Sequence, residues 1–87
     1  MQYALAVFKS RVDCFSFLNI LSSYTKHANI SNTPKELNMP CGVSVKFPLE
    51  SSVAALNILS RRHFSSFVGI YKVFTSGASF SITPLNF

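Results

Sequence analysis

The chain has 87 residues, 48% of them hydrophobic and 14% aromatic, with nine phenylalanines and no tryptophan. That composition excludes intrinsic disorder and fits one folded domain with a modest core. Eight Lys and Arg against three Asp and Glu give a net charge of +5, but only Arg61 and Arg62 are adjacent, so there is no basic run of the kind that forms a nucleic-acid tail.

In chain order, Tyr3–Phe8 (YALAVF) is apolar on both faces, as a buried strand is. Ser10, three residues before Asp13, is a capping-box variant that starts a helix. From Val12 to Tyr24, the positions Val12, Phe15, Leu18 and Leu21, with Phe17, Ile20 and Tyr24 beside them, recur at helical spacing and predict its buried stripe. His27–Thr33 reads as a short strand, ended by Pro34. Pro34–Pro40 is a loop or a single helical turn, and Gly42–Phe47 (GVSVKF) alternates as a second short strand. Pro48–Glu50 open a second helix, with Val53, Leu56 and Leu59 as its predicted stripe and Ala55 and Ile58 behind them. Phe67–Phe74 is the last full strand. The order β-α-β-β-α-β predicts an α+β fold of the ferredoxin-like split βαβ type, an antiparallel sheet with two helices on one face. One domain is expected over residues 2–74. Residues 75–87 form a tail, read either as an added edge strand at 78–82 or as a segment without order.

Chemistry concentrates in Thr33–Phe47 (TPKELNMPCGVSVKF), at Cys41. A thiolate is the one strongly nucleophilic sulfur species in the amino-acid set, and nearby cations lower its pKa. Lys35 and Lys46 are its nearest cations in sequence, and Gly42 leaves the backbone free to approach a partner closely. The competing reading is a buried Cys41 that packs as a small hydrophobe. Cys14, early in the first helix, reads as half-buried packing.

Thr33-Pro34-Lys35-Glu36-Leu37, followed by Cys41-Gly42 and the basic Lys46, resembles the signature of the selenium/sulfur (Se/S) carrier protein-like family, a small bacterial domain of unknown function. The resemblance runs from the opening strand through Gly69-Ile70-Tyr71, about residues 2–74. It implies that Cys41 carries a sulfur or selenium atom as a persulfide-type species and that Gly42 leaves room for a donor or acceptor protein. It further implies that Lys35 and Lys46 support the anion. The chain departs from the family pattern at Asn38-Met39-Pro40, where small polar residues are expected, and Pro40 removes one backbone N–H near the sulfur.

The remaining side chains offer no other centre. His27 and His63 have no ligand-spaced partners, and a structural zinc site takes about four grouped ligands, so no metal and no cofactor is expected. Asp13 and Glu50 belong to helix starts, which leaves no acid/base pair for an enzyme acting alone. The strand after Cys41 lacks the aromatic pattern of RNA-binding split βαβ modules, so nucleic acid is not an expected partner. No apolar run reaches the ~20 residues that span a bilayer, and the N-terminal segment lacks the basic start of a secretory signal. The expectation is a cytoplasmic sulfur-trafficking protein with both thiols free, meeting donor and acceptor proteins. The alternative is a non-catalytic interaction or structural module, its exposed sheet face or edge pairing with a second copy or with a partner, in which Cys41 only packs.

Overall fold

The computed structural model describes residues 1–37 and 42–85. Five strands and two helices follow one another as β1 (Gln2–Phe8), α1 (Arg11–Leu21), β2 (Asn29–Asn32), β3 (Val43–Phe47), α2 (Ser52–Arg61), β4 (Phe67–Ser76) and β5 (Ser79–Pro84). Short 3₁₀ turns at Lys35–Leu37 and Leu49–Ser51 precede β3 and α2. The α+β class, the antiparallel sheet and the two helices agree with the sequence reading. The sheet order is β2-β3-β1-β4-β5, and every neighbouring pair is antiparallel. Each helix therefore joins two parallel strands with an antiparallel one between them: α1 spans from β1 to β2 across β3, and α2 from β3 to β4 across β1. No helix among the described residues is long and apolar enough to cross a membrane.

β1 is central and buried on both faces because its sequence offers apolar side chains at both parities. Ala4, Ala6 and Phe8 join Val45, Phe47 and Ile70 under the helices, meeting Cys14, Phe17 and Leu21 of α1 and Ala55 and Ile58 of α2. Leu5 and Val7 point to the opposite face, where they cluster with Val73, Tyr3, Tyr71, Ile82 and Leu37. Phe8 is the hub of the larger core. Its ring centroid lies 5.4 Å from Phe17, 5.6 Å from Phe64 and 5.5 Å from Phe67, at the tilted and edge-on angles that aromatic quadrupoles favour.

Two predicted stripes are corrected. On α1, Val12 is 74% and Phe15 50% exposed, and the buried edge is Cys14, Phe17 and Leu21. The helix is held in this rotation at its first turn, where the Asp13 carboxylate accepts from the backbone N–H and the hydroxyl of Ser66 just before β4. With Asp13 bound to Ser66, Cys14, Phe17 and Leu21 face the core and Val12 and Phe15 face out. On α2, Val53 is 69% exposed, Leu56 and Leu59 are half-buried, and Ala55 and Ile58 face the core. Ala55, without a bulky side chain, permits the close approach of helix to sheet that a leucine there would prevent.

The C-terminal segment forms β5, which pairs with β4 through the two-residue turn Gly77–Ala78. Gly77 has φ of 59°, a left-handed conformation that tight hairpin turns need and that glycine adopts without steric cost.

Candidate functional site

The described first part of the connection from β2 to β3 reaches the sheet face opposite the helices at Leu37. Pro34 C=O accepts from the Leu37 N–H at 3.1 Å to close the 3₁₀ turn. Leu37 then packs, with Tyr3, Tyr71 and Ile82, against the cluster of Leu5, Val7 and Val73, and together they cover it on a face without helices. The two feet of the connection are joined. Thr33 Oγ1 and Ser44 Oγ share a hydrogen bond of 2.8 Å, and Ser44 is fully buried, so this bond satisfies a hydroxyl that has no access to solvent. Gly42 sits against the same threonine: a Cβ at Gly42 would lie 2.8 Å from Thr33 Oγ1 and 3.2 Å from Thr33 Cβ. The glycine after the candidate cysteine is thus fixed by the close approach of its own chain.

Cys41, together with Asn38, Met39 and Pro40, lies outside the described residues. In sequence it stands between two fixed points, Leu37 on the sheet face and Gly42 against Thr33. Lys35 is exposed at the start of the connection. Lys46 is placed differently: its Nζ lies 4.3 Å from the centroid of the Tyr3 ring, a cation–π contact. Ala4 is opposite Phe47, so Tyr3 lies toward the far end of β3, and Lys46 leans away from the strand start that follows Cys41.

Cys14 is fully buried beneath the sheet, deeper than the half-buried position its sequence context predicts. Burial pushes its thiol up to about 11, because the thiolate would lose its hydration. Asp13, beside it, is held below its ordinary value chiefly by the Ser66 hydroxyl, then by the Ser66 backbone N–H, with His63 adding a smaller electrostatic pull. Ser66 is also bound from the other side, its hydroxyl accepting from Ser10 N–H at 3.1 Å and its carbonyl from Lys9 N–H at 2.9 Å. This cluster ties α1 to the start of β4 and is structural. Sequence reasoning gave Asp13 to the helix start but missed Ser66, which lies 53 residues away and carries no local signal. Among the described residues, no three of His, Cys, Asp and Glu are grouped to hold a metal. Two surface grooves lie on the helices, one along Phe15, Leu18 and Ser22, the other between Leu56, Leu59 and Phe67.

The fold and site define a small α+β protein whose candidate chemistry is one cysteine in a connection anchored on the helix-free face of the sheet. Residues 3–72 match the family described as "Putative Se/S carrier protein-like", and the chain belongs to that family. No curated protein and no solved structure matches the chain.

Proposed function

We propose that the protein carries sulfur or selenium on Cys41 and relays it between a donor and an acceptor protein without catalysing a reaction alone. Membership in the Se/S carrier protein-like family is the observation that carries this reading. The anchored connection supports it: Leu37 and the Thr33–Ser44 bond hold the two approaches to Cys41, while Cys14 is enclosed in the core and takes no part. In the transfer, the Cys41 thiolate attacks the outer sulfur of a donor persulfide. A new S–S bond forms on Cys41, the donor S–S bond breaks, and the donor leaves as a thiolate. Exposed Lys35 is the cation nearest the start of the connection and would favour the anionic forms of Cys41. Lys46, whose Nζ lies over the Tyr3 ring, is the second cation that would favour those anionic forms. The crossing pattern of β1 to β4 supports a ferredoxin-like split βαβ pair, extended by β5, as the scaffold. A cytoplasmic location belongs to the same reading, since a persulfide persists only where it is not oxidised further.

The test is exposure to a small alkyl persulfide followed by mass spectrometry of the intact chain and of its Cys41 and Cys14 peptides. The expected result is one added sulfur on Cys41, released by a thiol acceptor and absent in Cys41→Ser. A chain that gains no sulfur, or gains it equally at Cys14, overturns the proposal.

A further inference from the structure

The outer edge of β5 has a hydrogen-bonding pattern that suits a second copy of the same strand. The N–H of Leu85 donates to the carbonyl of Ile70 at 2.9 Å, which makes Ile70–Leu85 a hydrogen-bonded pair of the β4–β5 ladder. Such pairs alternate along an antiparallel ladder, so Thr83, Ser81 and Ser79 spend their main-chain groups on Lys72, Phe74 and Ser76, their register partners. The main-chain groups of Phe80, Ile82 and Pro84 consequently face outward. Pro84, which has no N–H to offer, stands at one of these outward positions at the end of the strand, where a proline costs the ladder nothing.

Sheet edges are ordinarily protected by lysines, by central prolines or by bulges. Ser79–Pro84 (SFSITP) carries no charged side chain. It is exposed throughout except at Ile82, and Phe80 is 41% exposed. The opposite edge, β2, is only four residues long and reads NISN. We propose that β5 pairs antiparallel with β5 of a second copy about a two-fold axis at Ser81, joining the two five-stranded sheets into one. In this register each Phe80 lies opposite Ile82 of the other copy. Both residues have outward main-chain groups, so each exchanges both of its bonds, and the interface is self-complementary as a two-fold contact must be. Phe80 and Ile82 share the helix-free face, so the apolar pairs form on one side. A neutral edge places no like charges opposite one another. One pairing of six-residue strands makes a small contact, and the association it supports is weak and concentration-dependent.

Analytical ultracentrifugation of the intact chain tests this, from roughly 10 µM to 1 mM, a range suited to so small a contact. The expected result is a rising sedimentation coefficient with concentration, strengthened by added salt, which screens repulsion between two chains of +5. Ser81→Lys and Ser81→Glu each place two like charges across the axis at an exposed position, and each is expected to remain monomeric. An equimolar mixture of the two is expected to recover association, which a misfolded variant could not do. A chain that stays monomeric throughout, a Ser81→Lys variant that associates like the unmodified protein, or a mixture without recovery overturns the proposal.

Discussion

Thr33 and Ser44 meet hydroxyl to hydroxyl at 2.8 Å, one just past the end of β2 and the other in β3, so the connection that contains Cys41 is closed at its base. Ser44 is fully buried, and among the described residues Thr33 is the hydrogen-bond partner of its hydroxyl. Thr33→Val keeps the shape and removes the partner, and is expected to cost about 1–3 kcal/mol, the penalty of a buried unsatisfied hydroxyl. The pair Thr33→Val/Ser44→Ala removes both polar groups and should recover most of that loss. Urea unfolding of the single and double variants measures the coupling, and additive losses would show that the bond does not hold the base.

Gly42→Ala tests the close approach beside that bond. The added methyl would meet Thr33 Oγ1 at 2.8 Å, and overpacking of this kind costs about 1–3 kcal/mol. Gly42→Ala should therefore lower the urea midpoint by itself, with no partner protein present. A neutral Gly42→Ala would instead return the glycine to a role in partner approach.

Asp13 makes stability sensitive to acid. Its carboxyl is held below the ordinary value of 3.8, first by the Ser66 hydroxyl, so the charged form is the one the fold favours. The contribution is fully present above about pH 3.8, the ordinary value, and is lost as pH falls through the lower folded-state pKa. Asp13→Asn keeps an acceptor for Ser66 and removes the charge. Its melting temperature should fall below that of the unmodified chain at pH 6 and converge on it below the folded-state pKa of Asp13. Parallel curves across that range would contradict the assignment.

The corrected helix faces give a further contrast. Phe8→Ala removes the hub of the aromatic core and is expected to cost about 3–5 kcal/mol, a large part of the ~5–15 kcal/mol that holds a small domain. Val12→Ala and Val53→Ser, on surfaces 74% and 69% exposed, should stay within ~0.5 kcal/mol of the unmodified chain. A large loss at Val12 or Val53 in urea unfolding would restore the faces that periodicity alone predicts.

Much of the fold was legible locally, and the reason differs by element. Tyr3–Phe8 announced a strand buried on both faces because both parities are apolar, and Ser10 marked the start of α1 by a cap that the structure retains. The rotation of the helices was not legible. Val12, Phe15 and Val53 fit a helical period as well as the true core residues do, and which edge is buried is decided by long-range packing such as that of Phe17, Leu21 and Ile58 in the core. The connection around Cys41 was legible as a motif, while its anchoring depends on Leu37 meeting Leu5, Val7 and Val73, residues brought together only by the sheet. Lys46 shows the limit most directly: five positions from Cys41 in sequence, it is drawn toward Tyr3 by a cross-strand contact that no local pattern announces.

The measurement that bears most directly on the carrier reading is the rate of alkylation at each cysteine against pH, resolved by peptide mass spectrometry on the folded chain. Cys14, enclosed in the core with its thiol pushed up to about 11, serves as the internal reference and should react only as the protein unfolds. A carrier thiol at Cys41 is expected to be modified rapidly well below the ordinary thiol pKa of about 8.5 while Cys14 stays protected. Equally slow modification at both cysteines would contradict it and make Cys41 a packing residue.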